Sequence, residues 1–195
     1  MANLPISQLP SASILSGAEI FPLVQNGVTK QCSFAQITSG SYEANSHYAS
    51  LYHTASMFIT TPSVYYSMSF NTVDFANGVT VANPHQSYIT FANPGVYDLQ
   101  FSAQITKTSG TKSNVFIWLR QNGSDVPNTN TDVTLAGGSG DRVVAAWNFF
   151  IKTTAANETA QLMYGGTVGN VELLYDTSSI GPSIPSVIAT INRVG

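Results

Sequence analysis

The chain has 195 residues, enough for one domain with its own hydrophobic core and a small additional segment. Charged residues make up only 9% of the sequence, against roughly 25% in ordinary soluble domains. Exposed helices draw on Glu, Lys and Arg, so this composition favours strands joined by polar turns. A net charge of −3 without clustered Lys or Arg excludes a nucleic-acid surface, and the single cysteine, Cys32, excludes an intrachain disulfide.

Residues 1–40 contain short apolar clusters separated by prolines, which confine such segments to sheet edges or extended contacts. Asn26-Gly27 predicts a type I′ hairpin turn, and Ser33 is expected to cap a short turn through Ile37. A unit this small cannot be stable alone, so it docks on its own domain, on sister chains or on a larger assembly. The adhesive residues expected are Leu4, Ile6, Leu9, Ile20, Phe21, Leu23 and Val24.

The N-terminus has neither the basic region nor the apolar stretch of a signal peptide. No segment approaches the ~18 consecutive apolar residues of a membrane span, so no membrane insertion is expected. We predict an N-terminal module at residues 1–40, a linker at residues 41–47 and one domain at residues 48–195.

The domain shows the period-two pattern of half-buried strands. Between Val96 and Ile105 the odd positions are apolar and the even positions are polar, which predicts one buried and one solvated face. The stretch 42–57 fits a helix or a strand, and we favour a strand. The segments 115–119 and 143–151 are apolar on both faces, so another subunit or a long loop is expected to cover them.

Seven turn signals separate the apolar runs and imply roughly eight short strands. They are Asn77-Gly78, Asn93-Pro94-Gly95, Ser109-Gly110, Asn122-Gly123, the segment 137–140, Gly165-Gly166 and Gly181-Pro182. A final strand is expected at 187–194. The predicted fold class is all-β: an antiparallel jelly-roll sandwich of about eight strands, preceded by a small N-terminal hairpin module.

No motif for chemistry is present. The spacings of His47, His53 and His85 suit no metal site, and no Gly-x-Ser-x-Gly nucleophile turn occurs. We therefore predict that the chain is not an enzyme and holds no cofactor or metal. The oxygen-rich loop between Asp125 and Asp132 fits calcium less well than it fits a solvated loop. The candidate ligand-loop residues are Asn122, Asp125, Asn128, Asp132 and Asp141.

Four aromatic residues, Tyr65, Tyr66, Trp118 and Trp147, are of the kind that stacks on a sugar or packs between subunits. Each lies in a predicted strand and not in a loop. Packing in the core or between subunits is therefore the favoured interpretation.

Several segments resemble known proteins. Residues 89–102, ITFANPGVYDLQFS, resemble the Gly-Val-Tyr signature of the complement-q and tumour-necrosis-factor jelly-roll superfamily, and residues 116–123, FIWLRQNG, resemble its strand ending in an Asn-Gly turn. Residues 146–150 and 184–191 resemble tailed-phage virion proteins that carry this domain. Residues 6–10, ISQLP, and 17–30, GAEIFPLVQNGVTK, resemble a short module at the front of phage fibre and decoration proteins.

The resemblance implies a homotrimer of sandwiches around a threefold axis, located in the virion and assembled in the host cytoplasm. The adhesive residues named above would grip the major capsid protein or another virion protein. A capsid decoration or head-fibre role is expected, since no shaft separates residues 40 and 48. The alternative is a tail-fibre or receptor-binding tip that recognises a host surface glycan. The implied trimer-interface residues are Tyr65, Tyr97, Phe101, Phe116, Trp118 and Trp147.

Overall fold

The computed structural model describes residues 18–34, 36, 47–81, 86–110, 112–178 and 180–195. It divides the chain into two compact units, 1–45 and 46–195. Leu4, Ile6 and Leu9 lie outside the described residues, as does the predicted linker apart from His47. Their predicted roles therefore stay predictions. No helix within the described ranges is both long and apolar enough to cross a membrane.

The first unit contains an antiparallel hairpin of β1 (Ile20–Gln25) and β2 (Val28–Ser33). Asn26 and Gly27 connect the strands with φ angles of 54° and 75°, the two positive values that a type I′ turn requires. After β2, the Ser33 hydroxyl accepts a hydrogen bond from the Gln36 amide, and the Gln36 side chain accepts one from the Ser33 amide. The hairpin predicted from Asn26-Gly27 is confirmed.

The second unit, within its described residues, consists of fourteen further strands. They are β3 (Tyr48–His53), β4 (Met57–Ile59), β5 (Tyr65–Ser67), β6 (Thr72–Asn77), β7 (Val79–Val81), β8 (Ile89–Phe91), β9 (Gly95–Lys107), β10 (Ser113–Gln121), β11 (Ser124–Asp125), β12 (Thr131–Leu135), β13 (Arg142–Thr153), β14 (Glu158–Gly166), β15 (Val171–Leu173) and β16 (Val187–Arg193).

Two seven-stranded antiparallel sheets build this unit. In the first sheet β13, β9, β16, β3 and β6 are successive neighbours, and β15 pairs with β9 and β4. In the second sheet β12, β10, β14, β8 and β7 are successive neighbours, and β11 and β5 pair with β10 and β14. The main strands run β13-β9-β16-β3 in one sheet and β12-β10-β14-β8 in the other, which is the strand order of a jelly roll. The all-β antiparallel sandwich is confirmed.

The core lies between the two sheets. Along β9, the residues that point into it alternate with residues that point outward. Tyr97, Leu99 and Ala103 are 0% exposed, as is Ile117 on β10 of the opposite sheet. The Tyr97 ring packs 4.4 Å from that of Phe91, and its hydroxyl donates to the carbonyl of Asn93 at 2.8 Å. The ring of Tyr97 is thus packed against apolar neighbours, and its buried hydroxyl group has a hydrogen-bond acceptor.

The turn predicted at Gly165-Gly166 is wrong. These glycines are the last two residues of β14, and the connection to β15 follows them at residues 167–170. The turn between β13 and β14, at residues 154–157, where Asn157 has φ 62°, was not among the predicted turns. Neighbouring atoms leave little room for a side chain at either glycine. A Cβ on Gly166 would lie 2.9 Å from Ile59 Cδ1, and one on Gly165 would lie 3.0 Å from the Val64 carbonyl oxygen. Glycine in a strand often marks close backbone approach, which a local reading confuses with a turn.

We expect the two isoleucines Ile191 and Ile180 to respond differently to alanine. Ile191 on β16 is 0% exposed, whereas Ile180 is 96% exposed. Ile191→Ala should lower the free energy of unfolding by about 2–5 kcal/mol, because it removes buried methylenes and leaves a cavity. Ile180→Ala, the matched control, should change it by less than about 0.5 kcal/mol. Urea denaturation of both variants measures this difference, and equal effects would contradict the assignment of the core.

Glu158 is the first residue of β14 and bonds back to the turn that connects β13 to β14. Its carboxylate accepts from the amides of Thr154 and Ala155 and from the side chain of Asn122. These bonds, the Thr154 amide first, lower the pKa of Glu158 from 4.5 to about 2. A lowered folded-state pKa means that the unfolded chain binds more protons, so this contribution is present above pH 4.5 and is lost as the pH falls towards 2.

Glu158→Gln should therefore reduce the melting temperature near neutral pH and flatten its fall on acidification. Melting curves between about pH 2 and pH 7 measure both effects. Asp74→Asn, on the exposed strand β6, is the charge-matched control and should leave the profile unchanged. A Glu158→Gln profile parallel to that of the wild type would show that Glu158 contributes nothing to the acid dependence.

Candidate functional site

The sandwich has two outer faces, one on each sheet. The residues of the first are identified from the strand register. Directly paired residues share a side of the sheet, so residues opposite the even positions of β9 point away from the core with them. We call the central part of this set, around positions 98–104 of β9, the first outer face. Its members are Asp98, Gln100, Ser102 and Gln104 of β9, Val144, Ala146, Asn148 and Phe150 of β13, Ile188, Thr190 and Asn192 of β16, and Tyr48, Ser50 and Tyr52 of β3.

The centre of the first outer face is nearly free of charge. Asp98 is the one charged residue among the members named above, and its carboxylate accepts from the Gln100 amide at 2.8 Å and from the Asn148 amide at 2.9 Å. Charged side chains return at the two ends of the same side of the sheet, where Arg142 and Glu172 lie opposite Thr106 and Lys152 lies opposite Val96.

Apolar side chains stand exposed on this face, with Val144 at 55% and Phe150 at 68%. The cores of protein interfaces are depleted in charged residues, and the centre of this face shares that composition.

The second outer face carries an aromatic groove, which we define by Tyr65, Phe116, Trp118, Asn130 and Gly165 with their neighbours. Phe116 and Trp118 alternate with core residues on β10, so both point outward. Gly165 pairs with Phe116 on one side and with Tyr65 on the other, and it has no side chain to fill the space between them. A depression of ≈ 310 Å³ results.

Trp118 separates this depression from a second one of ≈ 350 Å³, to which Asp125, Pro127 and Asn128 contribute. Trp118 and Asn130 line both. Asn128 has φ 62°, so the loop between β11 and β12 turns sharply in the left-handed region at the rim. The groove is therefore a surface of two depressions that have the Trp118 side chain in common.

The groove's aromatic rings are fixed by polar contacts. The indole N–H of Trp118 donates to Asp125 Oδ1 at 2.8 Å, and Arg120 Nε donates to the same oxygen at 2.7 Å. Arg120 Cζ lies 4.8 Å from the centroid of the Tyr65 ring, which stands edge-on to Trp118. The hydrogen bond from Arg120, followed by that from Trp118, lowers the pKa of Asp125, so this carboxyl stays ionised near neutral pH.

The six residues predicted for the trimer interface do not form one surface. Tyr97 and Phe101 are 0% and 5% exposed, so the prediction is wrong for these two side chains, which fill their own core. Trp147 lies on the core side of the edge strand β13, with its ring 4.8 Å from that of Phe101. The other three, Tyr65, Phe116 and Trp118, are together in the aromatic groove.

The candidate ligand-loop residues are also distributed. Asp125 and Asn128 contribute to the groove, whereas Asp132 accepts two hydrogen bonds from Asn114 on β10. Asn122, in the turn between β10 and β11, donates a hydrogen bond from its side-chain amide to Glu158. The Asp141 carboxylate accepts a hydrogen bond from the backbone amide of Gly137, in the loop between β12 and β13. Within the described residues no three His, Cys, Asp or Glu side chains are grouped to hold a metal ion.

The described part of the predicted attachment module is apolar on its surface. Ile20 is 62% exposed and Val24 is 71% exposed, and their pairing partners place them on the same side of the hairpin. Phe21, 38% exposed, and the partly buried Leu23 share the other side. Both sides of the hairpin thus offer apolar contact area.

Two features escaped the sequence reading. The even positions of β9 were interpreted as an ordinary solvated face, although the signal was available in the scarcity of charged residues among the positions paired with 98–104. The groove was missed because Gly165-Gly166 was interpreted as a turn. Its floor depends on pairing between β10, β14 and β5, distant segments whose register no local pattern supplies.

No protein-family model matches the chain, and no curated protein matches it. Among solved structures it is similar to murine APRIL, crystallised at pH 8.5, with 7% identity over 76% of this chain and 98% of that chain and a TM-score of 0.46. It is also similar to the globular domain of zebrafish complement 1qA protein, with 11% identity over 76% of this chain and 95% of that chain and a TM-score of 0.44. The sandwich assignment rests on the strand pairing itself.

Proposed function

We propose that the protein is a tailed-phage virion component, a homotrimer that decorates the capsid. Residues 1–40 bind the particle, and the sandwich projects from it. The observation that carries the self-association is the centre of the first outer face, where Asp98 is the one charged residue. The virion role is supported by the resemblance of residues 6–10 and 17–30 to the attachment module of phage fibre and decoration proteins.

The first outer face suits burial against neighbouring copies of the chain around a threefold axis. Ser, Thr, Asn and Gln side chains cost far less to desolvate than Lys or Glu, and the cores of protein interfaces are depleted in charge. The Asp98 carboxylate already has two amide donors, which reduces its own desolvation cost. Ile188, 39% exposed in the middle of the face, supplies apolar area.

The hairpin suits attachment to a larger surface. A two-stranded hairpin is at best marginally stable in water, and this one exposes Ile20 and Val24 on one side and Phe21 on the other. Contact with the major capsid protein, or another virion protein, would bury these side chains and stabilise the hairpin. The role is binding by burial of apolar surface, so it requires neither a catalytic group nor a cofactor.

We expect a native mass of three times the 20.8 kDa chain. Ile188→Glu should convert the trimer to a monomer, because it places a carboxylate in the middle of the buried face. Val64→Glu, just before β5 at the aromatic groove, is the matched apolar-to-acidic control and should remain trimeric. Native mass spectrometry measures all three proteins. A wild-type monomer, or a trimer that survives Ile188→Glu, argues against the proposed interface.

Attachment is tested with particles that lack the protein. Ile20→Asp combined with Val24→Asp should abolish co-sedimentation with the particles while leaving the trimer intact, since only the hairpin surface changes. Removal of residues 1–40 should have the same effect. Ile180→Asp, on an exposed loop of the sandwich, is the control and should co-sediment like the wild type. Decoration by the truncated protein would overturn the assignment of residues 1–40.

A further inference from the structure

We propose that the aromatic groove binds a neutral oligosaccharide, with one sugar ring in each of the two depressions beside Trp118. This inference goes beyond the virion role, since it assigns a ligand to the face opposite the proposed trimer contact. It rests on the geometry of the rings, on the polar groups around them and on the charge of the lining.

The rings provide the stacking surfaces that a sugar requires. A pyranose has an apolar C–H face, which packs on aromatic rings, and a rim of hydroxyl groups. Tyr65 is 56% exposed, and its ring lies 6.1 Å from that of Trp118 at an interplanar angle of 77°. Two aromatic planes at this angle form a corner into which a ring can be placed with one face and one edge in contact.

The corner is preorganised. Asp125 holds the indole N–H of Trp118, and Arg120 lies over the ring of Tyr65. A ligand that binds here does not have to immobilise these side chains, which reduces the entropic cost of binding. The two depressions of ≈ 310 and ≈ 350 Å³ lie within the size range of small-molecule sites.

The lining favours a hydroxyl-rich ligand without charge. Asn130 lines both depressions, and Asp125 adds carboxylate oxygens that accept from hydroxyl groups. The nearby cation, Arg120, pairs through Nε with Asp125, lies over the ring of Tyr65 and has a side chain only 17% exposed. Asp132, opposite Phe116 in register, adds a second negative charge to this face. An acidic sugar would therefore meet two carboxylates, whereas the cation beside them is mostly buried and already paired with one of them.

A proline-rich peptide is the principal rival for a groove of this composition. Aromatic grooves of that type stack on prolines and place polar donors towards the peptide carbonyl groups. Here the indole N–H of Trp118 is already bonded to Asp125, so it does not point to a ligand. The carboxylates and amide of the lining suit a ligand that donates many hydrogen bonds, and proline has no backbone donor.

The experiment titrates the full-length protein with chitotetraose, cellotetraose, maltotetraose, tetragalacturonate and a proline decamer, using isothermal calorimetry and tryptophan fluorescence. We expect at least one neutral tetrasaccharide to bind saturably and to perturb the fluorescence. Tyr65→Ala and Trp118→Ala should each weaken that binding at least about tenfold, in line with the energy of stacking on an aromatic ring. Phe58→Ala removes a 52% exposed ring from the first sheet and should bind like the wild type.

Three outcomes of this experiment would overturn the proposal. They are the absence of binding by every neutral probe at millimolar concentration, tetragalacturonate or polyproline binding as tightly as the neutral sugars, and unchanged affinity in a folded Tyr65→Ala variant. Tyr65 is exposed, so this variant keeps the test valid if Trp118→Ala does not fold. Native mass and particle co-sedimentation, measured on the same variants, should be unaffected, which separates failure of this inference from failure of the virion role.

Discussion

The structure depends on the register of one long strand. β9 pairs with β13 along almost its whole length and with β16 on its other side, so its alternation sets the facing of every residue opposite it. Burial of Tyr97, Leu99 and Ala103 fixes that register, because a shift by one residue would move the entire apolar set to the solvent side. The same burial forces Asp98, Gln100 and Ser102 outward. The core and the first outer face are thus two results of one pairing.

The alternation of residues 96–105 and the Asn-Gly turns were sufficient to predict strands, the hairpin and an antiparallel sandwich. Local patterns were less informative where two distant segments meet. Gly165-Gly166 has the composition of a turn, yet its backbone lies between β10 and β5, and only the paired structure shows that side chains are excluded there. Tyr97 and Phe101 were assigned to an interface from a resemblance, although their own alternation already placed them inside. The groove could not be predicted, since it combines residues from β5, β10, β14 and the loop before β12.

The two outer faces differ in chemistry because different residues fill their outward positions. At the centre of the first sheet these are mostly uncharged groups with a few exposed apolar side chains, which suits contact with other copies of the chain. On the second sheet Trp118 and Tyr65 remain exposed and are oriented by Asp125 and Arg120, which suits a small ligand. A trimer that buries the first face leaves the second free, so self-association and ligand binding do not compete for the same surface.

The position of β16 has a consequence for how the domain is made. β16 follows the other described strands in the chain, yet it lies between β3, the first strand of the domain, and β9. Until residues 187–193 have been synthesised, β3 and β9 lack the strand that joins them, and the first sheet stays incomplete. Sandwiches with such distant pairings fold slowly, and their unpaired edges are exposed in the meantime. On the ribosome, the scarcity of charge that favours assembly of the finished protein would leave the nascent chain with little protection against premature association.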